Sequence, residues 1–241
     1  MMDSGNSLWY IENMTEKKTS SGSILSHSEG APLNFAEARG QLVRFYYRTI
    51  ESFIRPLMST GVSPNTITFL ALAASLAAAY YYSLGFFFMG GIFLLVAGLL
   101  DTVDGSVARL TGRTSKFGAL LDSTLDRYAE FFVFFGLLIH FQSSPVFYIV
   151  LLALMGSIMV SYIKARSQSL GNTRSVGLMQ RPERFILLIT GSLFNGVSAV
   201  NFPSHPDIIF ISTLVILAVL ANLTAFRRLR EGFKELRDSS S

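Results

Sequence analysis

Asp101, Asp104, Asp122 and Asp126 fall within residues 101–127, and segments rich in Leu, Phe and Ala flank that stretch on both sides. Carboxylate oxygens with no Cys or His beside them suit Mg²⁺, Mn²⁺ or Ca²⁺ rather than zinc. The chain has no cysteine, and its three histidines, His27, His140 and His205, are scattered. Four carboxylates could hold two such ions, the arrangement that steadies attacking and leaving oxygens in phosphoryl transfer. A single acidic residue near the end of an apolar segment commonly pairs with a neighbouring arginine, and Arg109, Arg113 and Arg127 stand close by. Four at helical spacing exceed what such pairing needs.

That spacing works only if helices carry it. Positions i, i+3, i+4 and i+7 share a helix face. Asp101, Asp104, Gly105 and Ala108 therefore form one stripe, and Gly118, Asp122 and Asp126 form another. A turn between two antiparallel helices lets the stripes face each other. The small residues keep side-chain bulk off both faces, which leaves room for something else. A carboxylate inside a bilayer costs about 2.5–3.5 kcal/mol at a helix centre and less near an end. Bound metal would offset both that cost and the mutual repulsion.

The elements that position these residues are membrane helices. Half of the 241 residues are hydrophobic and only 15% are charged, and mean hydropathy is positive. This is the profile of a membrane protein. The net charge of +4 then marks a cytoplasmic face rather than a nucleic-acid partner. Residues 1–33 are rich in Ser, Thr, Gly and charge, lack a signal-peptide core, and read as a disordered cytoplasmic tail. Residues 34–58 place apolar side chains at helical spacing with Arg44, Arg48 and Arg55 on one face, the pattern of an interfacial amphipathic helix. Residues 59–241 hold six segments long enough to span: 66–83, 86–110, 117–141, 145–168, 182–200 and 206–226. The connections at 84–85, 142–144 and 201–205 carry no Lys or Arg. The positive-inside rule puts both termini, and with them the aspartates, on the cytoplasmic side. The expected fold is an all-α integral membrane protein of six transmembrane helices, preceded by the interfacial helix.

The pattern Asp101-x2-Asp104-Gly105-x2-Ala108-Arg109-x8-Gly118-x3-Asp122-x3-Asp126 resembles the signature of the CDP-alcohol phosphatidyltransferases at every position. The resemblance runs from about Phe35 to the C-terminus. It implies a homodimer in the cell membrane that transfers a lipid phosphate from a CDP-linked lipid to an alcohol and releases CMP. It implies Mg²⁺, as two ions, with Mn²⁺ as a substitute. Asp101, Asp104, Asp122 and Asp126 would be metal ligands, and Asp126 would also be the general base. Gly105, Ala108, Arg109, Ser115 and Gly118 would lie against the CDP-lipid. Pro64, Asn65, Thr66 and Ile67 match a family segment near the nucleotide; by themselves they read as a Pro-Asn turn leading into a Thr cap.

A basic cluster bears on the acceptor. Ser161-Tyr162-x-Lys164-Ala165-Arg166, followed by Arg181-Pro182-Glu183-Arg184, resembles the branch that makes phosphatidylinositol phosphate from CDP-diacylglycerol and inositol phosphate. In that branch Lys164, Arg184 and an arginine near the end of the last span would hold the acceptor's phosphate. Arg228 is the choice for the third, with Arg227 next to it. Glycerol 3-phosphate, free inositol or serine as acceptor, and an archaeal CDP-lipid as donor, stay open at this point. An ion or proton transporter is the competing class, but the acidic residues concentrate in one pair of spans and no matching half repeats them.

Overall fold

The computed structural model describes residues 63–110, 112, 114–171, 179–201 and 206–238. The expected tail at 1–33 and interfacial helix at 34–58 lie outside the described residues. Those described form six α-helices: α1 (Pro64–Ser83), α2 (Phe87–Leu110), α3 (Lys116–His140), α4 (Val146–Ser169), α5 (Arg181–Asn201) and α6 (Ile208–Asp238). No strand occurs among the described residues.

Local sequence explains the helix boundaries. Ser63, rather than the expected Thr66, caps α1: its side chain accepts from the Thr66 N–H, and Pro64 occupies the first turn where its missing N–H costs nothing. Ser115 caps α3 in the same way, accepting from the Gly118 N–H at 2.9 Å. Gly85 turns the chain between α1 and α2 at φ +79°, a region that favours glycine. Asn195 of α5 steadies the start of α6, accepting from the Phe210 N–H and donating to Asp207.

Among the described residues, four helices are long and apolar enough to cross a membrane: α1, α2 through Ala108, α4, and α6 through Arg237. The α3 and α5 helices lack that uniform apolarity because they carry the charges: Lys116, Asp122, Asp126, Arg127 and Glu130 on one, Arg181, Glu183 and Arg184 on the other. Large apolar side chains such as Phe69, Leu99, Tyr148, Ile186 and Leu223 point outward, as a lipid-facing surface requires. The end of α6 departs from the sequence reading. It continues to Asp238 rather than stopping at Phe226, where the apolar run ends. Helix-favouring charged residues carry it on, with Arg227 and Glu231 paired at i,i+4 and 3.5 Å.

The packing order is not the sequence order. The α1 helix packs closely against both α2 and α3, while α2 and α3 touch each other far less. The α4 helix packs on α6, and α5 joins α2 to α6. Away from the aspartates, Tyr82, Phe87, Leu94, Leu137, Leu188, Phe210 and Leu214 fill one core. The Tyr82 hydroxyl is satisfied there by Ser192 at 2.7 Å.

Gly136 permits the close approach of α3 to α1, because a methyl group there would collide with the backbone carbonyl of Ala79. Backbone cannot retreat as a side chain can, so Gly136→Ala is expected to cost about 1–3 kcal/mol by overpacking. Gly98→Ala, where a methyl would meet nothing within 4 Å, should keep wild-type stability. Thermal unfolding of both variants in detergent checks the contrast.

Candidate active site

The carboxylates gather where α2 and α3 approach their common connection. Asp101, Asp122 and Asp126 each present an oxygen within 4.8 Å of the others. The two stripes thus face each other as their spacing predicts. Because α1 is wedged against both helices, they do so across a gap. One oxygen of Asp122, Oδ1, is buried and has no hydrogen-bond partner. A buried carboxylate oxygen without a donor is costly, and a bound cation would offset that cost. The donor set is all oxygen, so the residues fit a hard divalent ion.

Asp104 stands apart. It is buried and accepts a 2.6 Å hydrogen bond from the Thr68 hydroxyl of α1. Thr68 was missed in the sequence, although it follows directly on the segment 64–67 that was singled out. Within that segment Ile67 is buried against Val107 of α2, while Asn65 and Thr66 are exposed beside it. Gly105 and Ala108 are half-buried on α2, and Gly118 is half-buried at the start of α3. Arg109 lies on α2, and its side chain is outside the described residues. Ser115 serves as the cap of α3.

Two further charged residues enter the site that sequence reading did not assign to it. Arg181, the first residue of α5, reaches Asp101 at 3.1 Å and Asp126 at 2.7 Å. Glu130 lies one turn beyond Asp126 and is 2% exposed. One of its oxygens receives both Nε and Nη2 of Arg184, at 3.1 and 2.8 Å. Its other oxygen receives Arg127 at 2.9 Å. The signal for Glu130 was in the sequence: Asp122, Asp126 and Glu130 stand at successive i+4 positions, so the acidic stripe of α3 continues inward.

The three basic residues expected at the acceptor converge on α4. Arg184, also 2% exposed, approaches Ser161 at 3.4 Å. Arg228 is buried and donates to the Val160 carbonyl at 2.8 Å. Lys164 sits one turn further along α4 and is half-buried. Between the two candidates on α6, Arg228 turns into the bundle, whereas Arg227 is exposed and pairs with Glu231.

Residues 61–224 match the family model for CDP-alcohol phosphatidyltransferase. The chain belongs to the CDP-alcohol phosphatidyltransferase family. It is an enzyme of that family. Among its relatives, the archaetidylinositol phosphate synthase of Pyrococcus horikoshii is 34% identical over 188 residues, 78% of this chain and 92% of that protein. The phosphatidylinositol phosphate synthase of Mycobacteroides abscessus is 34% identical over 178 residues, 72% of this chain and 78% of that protein. Two crystal structures of the Mycobacterium tuberculosis phosphatidylinositol phosphate synthase superimpose with TM-scores of 0.68 at 32% identity. One has CDP-DAG bound and covers 77% of this chain and 94% of its own. The other is in complex with manganese and citrate and covers 76% of this chain and 88% of its own.

Burial makes the Glu130–Arg184 pair a structural element of this site. Breaking a buried ion pair from one side leaves the other charge uncompensated, at about 3–5 kcal/mol. Glu130→Gln is therefore expected to lower the detergent unfolding temperature sharply. The double variant Glu130→Gln/Arg184→Met should recover part of the loss, and thermal unfolding of the wild type, both single variants and the double variant measures the coupling.

Proposed function

We propose that this enzyme transfers the phosphatidyl group of CDP-diacylglycerol to a hydroxyl of inositol phosphate, giving phosphatidylinositol phosphate and CMP. The observation that carries the reading is the juxtaposition of two opposite clusters on one bundle. Three carboxylates lie within 4.8 Å of one another, and Arg184 and Arg228 converge on the adjacent residues Ser161 and Val160. The first cluster suits a metal-bound pyrophosphate donor, and the second suits an anionic acceptor. The names of the relatives support the same acceptor. The remaining parts of the reading are two Mg²⁺ ions as cofactor, a six-span bundle preceded by the interfacial helix, a homodimer in the cell membrane, and both termini and the site on the cytoplasmic side. The basic connections support that orientation.

Asp101, Asp122 and Asp126 would hold the divalent ion, with Asp104 completing the set from its place beside Thr68. When bound, such an ion neutralises the donor's pyrophosphate and stabilises the departing phosphate. Gly105, Ala108 and Gly118 keep bulk away from the nucleotide, and Arg109 forks onto a donor phosphate. Pro64, Asn65, Thr66 and Ile67 place the start of α1 near the nucleotide, and Ser115 fixes the start of α3. Asp126 takes the proton of the acceptor hydroxyl. That oxygen bonds to the lipid-side phosphorus, the bridging bond to CMP breaks, and CMP leaves with the bridging oxygen. Arg184, Arg228 and Lys164 hold the acceptor's own phosphate so that its free hydroxyl points at the donor. Glu130 carries two arginines on one carboxylate, which leaves the neighbourhood net positive toward an anion.

The decisive assay is CMP release from CDP-diacylglycerol by purified protein, across inositol phosphate, free inositol, glycerol 3-phosphate and serine, repeated with CDP-archaeol. Inositol phosphate is expected to be the preferred acceptor. In that assay Lys164→Ala should raise its KM by about tenfold, the loss of one charged hydrogen bond, with donor affinity unchanged. A wild type that prefers an unphosphorylated alcohol, or a Lys164→Ala variant with unaltered KM, would move the acceptor assignment elsewhere.

Asp126→Asn separates base from ligand. A general base contributes about 10²–10⁴-fold, so kcat should fall within that range while CDP-diacylglycerol affinity changes little. Affinity that collapses in step with rate would make Asp126 chiefly a metal ligand.

A further inference from the structure

Arg181 sits where the carboxylate cluster most needs positive charge. Its Nη1 lies 3.1 Å from Asp101 and its Nη2 lies 2.7 Å from Asp126, so one guanidinium spans the two helices that carry the site. Phe185, one turn along α5, covers a face of that guanidinium with its ring centroid 4.9 Å from the central carbon. The remaining nitrogen, Nε, is buried and has no hydrogen-bond partner. The guanidinium therefore satisfies the carboxylates better than they satisfy it. Its charge is permanent, since arginine does not lose its proton in proteins.

Two of the three carboxylates that would ligate a metal are thus already claimed by a cation of the chain's own. A divalent ion and the guanidinium repel each other and seek the same negative charge. We propose that Arg181 is the resident counter-cation of the metal-free cluster, and that metal binding displaces it from Asp101 and Asp126. The guanidinium suppresses carboxylate repulsion until an ion takes its place. This inference rests on the metal reading of the cluster and adds to it an exchange between two cations. The ring of Phe185 offers the departing guanidinium a surface on which to pivot.

The test uses the intact detergent-solubilised enzyme and Mn²⁺ as the probe, with no turnover. Mn²⁺ affinity is measured by calorimetry for wild type and Arg181→Gln. Removing a competing cation should tighten Mn²⁺ binding by about tenfold or more, the equivalent of one charged hydrogen bond. Without metal the variant should melt below wild type, and saturating Mn²⁺ should close that gap. Labelling Arg181 with an arginine-selective dicarbonyl reagent, mapped by mass spectrometry, then follows the side chain in wild type. Mn²⁺ should increase its labelling. Weaker Mn²⁺ binding by Arg181→Gln would make Arg181 a fixed organiser of the ligands and overturn the exchange, as would unchanged affinity or labelling indifferent to Mn²⁺. A wild type that binds no Mn²⁺ would overturn the metal reading itself, and this inference with it.

Discussion

Carboxylates placed inside an apolar helix bundle need compensating partners, and the arrangement of this protein follows from how far each one finds them. Asp104 settles for a neutral hydroxyl from α1. Asp101 and Asp126 share Arg181. Glu130 takes two arginines. Asp122 keeps a buried oxygen without a partner. These are four different answers to one electrostatic demand, and only the last leaves a position that protein does not fill. The carboxylates thus grade from Glu130, held by two arginines, to Asp122, one of whose oxygens has no hydrogen-bond partner.

The charged helices α3 and α5 are sheltered by the apolar ones. The α1 helix flanks α3, and α4 and α6 pack against each other. Function therefore draws on the least lipophilic helices, which is also why they fall short of the apolarity of an unaided span. Their polar side chains face one another instead of the bilayer, as polar groups within membrane bundles do.

Much of this was legible in the sequence, and the remainder has a common physical character. The helical period alone put Asp101 on one face and Asp122 and Asp126 on the facing one. Apolar runs located all six helices. Proline marked the start of α1, while the capping serines Ser63 and Ser115 emerged only in the structure. The structure adds contacts between residues distant in the chain: Thr68 with Asp104, Arg184 with Glu130, Arg181 with Asp101. No local period encodes such partners. The stripe on α2 also split, with Asp104 turning to α1 while Asp101 faced α3, because the third helix in the corner was invisible to a two-helix argument. The length of α6 escaped for another reason. An apolar run measures the membrane, and the helix obeys backbone propensity beyond it.

The wedge of α1 between α2 and α3 acts as a gauge block. Gly136 sets how closely α3 seats on it, and Thr68 with Ile67 pins α2 to its other flank. The approach of the two acidic stripes is therefore set by where each helix seats on α1, and not by the peptide that joins them. Insertions in that connection leave the approach unchanged, whereas one methylene on the flank of α1 alters it. Tolerance to sequence drift is thus distributed against intuition: the segment nearest the chemistry along the chain is the freer one, and the uncharged helix beside it is held to atomic dimensions.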